Sequence, residues 1–236
     1  MIKPQLFMLH FAGGNCHSFQ FMAPYLKSFD TVCLELPGRG RRINEELLTD
    51  FDSAATDMFN ELTAKLKPGP FMLYGHSMGA YLALRICNML EKKGRMPVHL
   101  VVSGNAGPGK YEERNIYRLP HDEFFIELKK LGGVPDEFTE SAELLEFFEP
   151  ILRADFEIAE ENGLENEPAV AAPLTALMGT EEEKTGEISN WGRFTRSAFN
   201  HELLEGGHFF IHHHAEKIAG IFRRCMERLG NRPVVS

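Results

Sequence analysis

The chain is poor in cysteine, in positive charge and in long apolar runs. Its four cysteines, Cys16, Cys33, Cys87 and Cys225, include no Cys-x-x-Cys pair. A disulfide framework is therefore not expected, and reduced structural thiols are. Apolar runs such as 71–73 and 100–102 fall far short of the roughly 20 residues that a membrane-spanning helix needs. Lys and Arg number 25 against 34 Asp and Glu, a net charge of −9. That balance argues against a nucleic-acid partner. No Gly-x-x-x-x-Gly-Lys-[Ser/Thr], no Gly-x-Gly-x-x-Gly after a strand and no His-Glu-x-x-His is present. Phosphate cradles, dinucleotide sites and zincin-type metal sites are thus not expected. Neither a cofactor nor a metal is called for. Met1-Ile2-Lys3-Pro4-Gln5 leads straight into a strand-like run with no signal peptide, so a cytoplasmic protein is expected.

What is present suffices for a folded domain. The 236 residues are 43% hydrophobic and 25% charged, ordinary globular values for one domain with its own core. Charge is uneven along the chain. Residues 111–167 hold 17 acidic and 5 basic side chains, against 17 and 20 in the remainder. An acidic insertion on a mildly basic scaffold follows.

Short apolar runs bounded by Gly and Pro read as buried strands at 5–11, 31–36, 71–74, 98–102, 174–178 and 201–204. Helical periodicity lies between them. Ala55, Met58, Phe59, Leu62 and Leu66 share one face, with Asp52 or Ser53 as candidate cap. Ala80, Ala83, Leu84, Cys87 and Leu90 share another, ended by Gly94. Ile218, Ile221, Phe222 and Cys225 form a last one. Alternating strands and helices imply a mostly parallel sheet covered on both faces. Segment 111–167 breaks the alternation with helical patterns at 122–130 and 141–148, and reads as a helical insertion over one end of the sheet.

The strongest chemical signal is Gly75-His76-Ser77-Met78-Gly79, a Gly-x-Ser-x-Gly between a strand and a helix. A serine there sits on a tight strand-to-helix turn, and glycines at −2 and +2 clear the space where the two elements pack. A serine hydroxyl needs a base. Of the ten histidines, His208 is the best placed, following Gly206-Gly207 after the last strand. His212, His213 and His214 read as a solvated helix start. The base needs a carboxylate, expected in the loop after the preceding strand. That loop, Gly179-Thr180-Glu181-Glu182-Glu183-Lys184, has no aspartate and leaves Glu181, Glu182 and Glu183 as candidates. Asp155 falls in the helical insertion and not after a late strand. Two N–H donors should form an oxyanion hole, Met78 from the helix start and Ala12 from the loop Phe11-Ala12-Gly13-Gly14.

These motifs, with Leu36-Pro37-Gly38-Arg39, Leu131-Gly132-Gly133, Leu152-Arg153-Ala154-Asp155-Phe156, Pro173-Leu174-Thr175-Ala176-Leu177 and Gly206-Gly207-His208-Phe209-Phe210, run nearly end to end. In that order the chain resembles the type II thioesterases, the stand-alone editing enzymes of nonribosomal peptide and polyketide synthesis. The resemblance implies an α/β-hydrolase fold in a single domain, 1–236, with a helical lid at 111–167. It implies hydrolysis of acyl groups held as thioesters on the phosphopantetheine arm of an acyl or peptidyl carrier protein. Ser77 and His208 map onto the family's nucleophile and base. Its Gly-x-x-Asp acid maps onto Glu182, a glutamate where the family has aspartate; Glu181 or Glu183 takes the role if the loop is offset. Phe124, Phe125, Leu128, Phe147, Phe148 and Ile151 become candidates for covering the acyl chain. A monomer is expected. Other readings are a chain-terminating medium-chain thioesterase, a small-molecule carboxylesterase, and a catalytically impaired carrier binder. Arg39, Arg41 and Arg42 are candidates for meeting an acidic carrier.

Overall fold

The computed structural model describes residues 3–110, 115–132 and 142–227. Residues 111–114 and 133–141, which include Gly133 and Ser141, lie outside the described residues, as do both chain ends.

Among the described residues, six strands form one parallel sheet: β1 (Gln5–Leu9), β2 (Asp30–Leu34), β3 (Phe71–His76), β4 (His99–Ser103), β5 (Leu174–Gly179) and β6 (Phe199–Leu204), in the order β2-β1-β3-β4-β5-β6. Side chains alternate between the faces. Phe7, Leu9, Phe71 and Leu73 enter one core, with α1 (Phe51–Lys65) and α2 (Met78–Lys92). Leu6, Met8, Met72 and Tyr74 enter the other, with the last helix, α5 (Ala215–Glu227). In the four inner strands, β1, β3, β4 and β5, this period of two is buried on both sides, which explains why they read as continuous apolar runs. No helix among the described residues is long and apolar enough to cross a membrane.

Strand order reverses at β1, whose neighbours are β2 and β3. Connections leave these strands toward opposite faces, opening a crevice at their C-terminal ends. The loop after β1 and the turn after β3 both lie there.

Between β4 and β5 the chain forms α3 (His121–Leu131) and α4 (Ala142–Glu160). These helices and the short turn Ile116–Arg118 carry a separate apolar cluster of Ile116, Tyr117, Phe124, Phe125, Leu128 and Phe156, which packs against Ala12 and Leu152.

Several boundaries differ from the sequence expectation by one or two residues, and three of them are instructive. Asp50, not Asp52 or Ser53, caps α1: its carboxylate accepts from Ser53 N–H at 2.7 Å, the usual span from cap to third helical residue. β2 ends at Leu34, where Glu35 N–H leaves the ladder and donates to Glu61 Oε2 at 3.0 Å. β6 starts two residues early, at Phe199, in register with Leu174.

Candidate active site

Ser77 has φ 54° and ψ −118°, a left-handed backbone on a non-glycine residue. The turn is held on both sides. Ser77 N–H donates to Ser103 O at 2.7 Å, and Ser77 C=O accepts from Ala80 N–H and from Asn105 Nδ2, both at 3.0 Å. A Cβ at Gly75 would lie 2.0 Å from Gly79 O, and one at Gly79 would lie 2.2 Å from Leu9 O. Only glycine at both positions lets the start of α2 press against β3 and β1. Met78 is the first residue of α2, where backbone N–H groups have no partner within the helix.

His208 follows β6, and its Nδ1 lies 2.9 Å from Glu182 Oε2. The other carboxylate oxygen, Oε1, accepts from Gly179 N–H at 2.7 Å. The side chain thus curls back over its own turn, which Glu182 N–H closes onto Gly179 O. This return absorbs the extra methylene of glutamate. The turn packs on the histidine loop through backbone: Thr180 N–H meets Leu204 O and Glu181 N–H meets Gly206 O. A Cβ on Gly179 would strike Gly206 O at 2.3 Å. Both acid and histidine are largely buried, whereas Glu181 and Glu183 are exposed.

His76 lies beneath His208, ring centroids 5.1 Å apart. Its Nδ1 contacts Ser103 Oγ at 2.8 Å, which meets Tyr74 Oη at 3.0 Å. Burial, then the neighbouring His208 and His212, hold His76 well below the ordinary histidine range. Its ring is therefore neutral at neutral pH. Gly104, at φ +80°, sits against both rings; a Cβ there would be 2.5 Å from His76 Cε1 and 3.2 Å from His208 Cε1. Since its neighbour Ser103 holds the Ser77 amide, Gly104 joins the serine turn to the histidine.

The loop after β1 makes a turn from Phe11 to Gly14, closed at 2.9 Å, with Gly13 at φ +74° in its third position. Gly13 N–H donates to Asp155 Oδ2 at 2.7 Å. Asp155, on α4, is fully buried and pairs through both oxygens with the buried Arg39 guanidinium. The Arg39 expectation is corrected here. Arg39 is 3% exposed and cannot meet a partner protein, because its charge is committed to Asp155. Arg42 is held by Asp57 and Glu45, and Arg41 is exposed.

A cleft of about 690 Å³ opens beside His208 and Glu182. Tyr81, Gly104, Ile116, Leu131 and Met178 line it, together with Lys110, Lys130 and Lys184. Phe124, Phe125 and Leu128 are buried inside the α3–α4 cluster. The rim of the cleft is formed by the neighbouring face of α3, through Glu127, Lys130 and Leu131. Phe147, Phe148 and Ile151 line a smaller cavity of about 270 Å³ with Gly13, Gly14 and Arg39. Sequence reasoning passed over Gly104, Asn105 and the structural part of Asp155. Asp155 did leave a signal, an acid on the apolar stripe with Ile151 and Ile158.

A parallel sheet with a strained serine between β3 and α2, and a histidine–carboxylate pair after β6 and β5, defines an α/β-hydrolase. The chain matches the thioesterase domain family over residues 4–226; it belongs to that family and is a thioester hydrolase. The type II thioesterase BorB from the borrelidin biosynthetic cluster superposes with a TM-score of 0.86 at 30% identity, covering 94% of this chain and 92% of that one. YbtT, a type II thioesterase from the yersiniabactin NRPS/PKS pathway, gives a TM-score of 0.87 at 29% identity, over 96% and 94%. The protein named linear gramicidin dehydrogenase LgrE, of Brevibacillus parabrevis, is 32% identical over 94% of this chain and 87% of its own length.

Proposed function

We propose that this enzyme frees acyl groups held as thioesters on the phosphopantetheine arm of an acyl or peptidyl carrier protein, clearing misloaded carriers. Ser77 Oγ attacks the thioester carbonyl as His208 Nε2 takes its proton. Met78 N–H and Ala12 N–H stabilise the oxyanion. The tetrahedral intermediate collapses, the C–S bond breaks, and the pantetheine thiol leaves with the proton from His208. Water deprotonated by His208 then attacks the acyl-serine, releasing the carboxylic acid and restoring the hydroxyl. Glu182 fixes the Nδ1–H tautomer and stabilises the imidazolium. Segment 111–167 is the lid of a single domain, and the enzyme works as a cytoplasmic monomer.

One observation carries this: the 2.9 Å contact of His208 with Glu182, linked through Gly104 and Ser103 to a serine on a strained turn. The test is release of acetyl from a loaded carrier by Ser77→Ala. Release should fall to background. Undiminished release would sink the mechanism, and faster release of decanoyl than of acetyl would favour chain termination.

A further inference from the structure

The Arg39–Asp155 pair joins three separate parts of the chain at the edge of the site. Asp155 stands on α4, Arg39 on the loop after β2, and Gly13 on the loop after β1. Arg39 Nη2 lies 2.7 Å from Asp155 Oδ1, and Nη1 bonds Oδ2. Gly13 N–H donates to that same Oδ2 at 2.7 Å. A charged acceptor makes this one of the stronger hydrogen bonds available to a backbone amide. It is directional, so it fixes the peptide plane between Ala12 and Gly13. The remaining freedom of the turn is removed from other sides. Phe11 O accepts from Gly14 N–H and lies 2.8 Å from His10 Nδ1. Leu152, one helical turn before Asp155, fills the space where a Gly13 Cβ would be.

We propose that Asp155 is a positioning residue for the oxyanion hole. By drawing the Gly13 amide toward α4, it leaves the preceding amide, Ala12 N–H, aimed at the reacting carbonyl. Arg39 holds the carboxylate in register for that task. Part of the catalytic geometry is therefore carried by the helical insertion and not by the sheet. This rests on Ala12 being an oxyanion donor.

Two double variants isolate the hydrogen bond. Arg39→Met with Asp155→Leu removes the ion pair and the acceptor on Gly13 without leaving a buried charge unpaired. Arg39→Met with Asp155→Asn removes the ion pair but keeps an oxygen for Gly13 N–H. On a small acyl thioester, the Leu variant should lose about 100-fold in kcat, with KM changed by less than about threefold, as for loss of one oxyanion donor. Its affinity for a trifluoromethyl ketone, which forms a tetrahedral adduct on serine, should fall by the same factor. The Asn variant should lose less than about tenfold. Equal kcat in the two variants, or a loss expressed in KM alone, overturns the inference. If neither double variant folds, amide NMR of the wild type decides. The Ala12 amide proton should move downfield on binding the ketone while Gly13 stays protected from exchange; an unmoved Ala12 amide overturns the proposal. Equal kcat in the two double variants with Ser77→Ala inactive refutes only the positioning role, an unmoved Ala12 amide also removes Ala12 from the oxyanion hole, and an active Ser77→Ala refutes the serine mechanism itself.

Discussion

Glu182→Gln tests the acid with the structure dictating the outcome. A carboxylate satisfies two donors at once, Gly179 N–H at 2.7 Å and His208 Nδ1 at 2.9 Å. An amide has one acceptor oxygen and one donor nitrogen. If the oxygen faces His208, the amide nitrogen is pressed against Gly179 N–H, and an unsatisfied buried donor costs about 1–3 kcal/mol. If the oxygen faces Gly179, the amide nitrogen faces His208 Nδ1 and selects the tautomer with its proton on Nε2, which cannot act as base. Either way the negative charge that balances the imidazolium is gone. Reversal of the tautomer in a comparable triad costs about 10⁴-fold in kcat. Allowing for the slight exposure of the pair, we expect a loss of about 10³–10⁴-fold, equivalent to about 4–5 kcal/mol of barrier. KM should change little. Glu182→Asp withdraws the carboxylate by about 1.5 Å, one carbon–carbon bond. It can then hold Gly179 or His208 but not both, and a loss of about 10–100-fold is expected. Glu181→Gln and Glu183→Gln, at exposed positions, should stay within about threefold of the parent. Free-thiol release from a short acyl thioester, with melting curves to confirm folding, gives all four numbers. Glu182→Gln retaining a tenth of kcat, or a larger loss at Glu181 or Glu183, would refute the assignment.

Gly104→Ala places a methyl in the left-handed region, costing about 1–2 kcal/mol, and 2.5 Å from the buried His76 ring. It should lower kcat about 10–100-fold as the histidines shift, and unchanged kinetics would show that His208 is not seated through this contact. His10 is pushed down to about 4 by burial and then by Arg39. The unfolded chain therefore binds a proton below about pH 6.5 that the folded chain refuses. Stability is full above pH 6.5 and should fall by about 3 kcal/mol as pH drops toward 4. Denaturant midpoints for His10→Gln should show a shallower acid slope than the parent, and identical slopes would contradict the assignment. Arg39→Glu leaves two buried carboxylates facing each other and should cost at least about 3–5 kcal/mol. Arg41→Glu should leave stability unchanged while slowing release from a carrier more than from a small thioester; equal effects on both substrates would remove Arg41 from docking.

Much of this molecule was legible because its information is local. Gly75, Ser77 and Gly79 occupy fixed offsets on one turn, and the collisions that demand glycine arise within that turn and from the adjacent strand. The parallel sheet was legible for a similar reason, since strands buried on both faces must be apolar throughout. Glu182 was readable only to within one residue on its own. Three glutamates share a loop, and the choice among them is made by how that loop curls onto Gly179 and by the backbone contact with Gly206.

The buried charges were not legible. Arg39 looked like a surface cation and Asp155 like a stray acid, because each is explained only by the other, 116 residues away, and by the Gly13 amide, 142 residues from Asp155. No short-range pattern encodes such a pairing. The same limit governed the charge on the insertion. Counting its 17 acids treats them as one solvated face, yet Asp155 faces inward and Glu149 ties Arg153 and His121 within the insertion. An acidic segment can thus spend carboxylates on internal geometry and still carry a negative exterior. Charge counts by segment therefore speak to long-range attraction or repulsion, and which carboxylate does chemistry is settled by what each one touches.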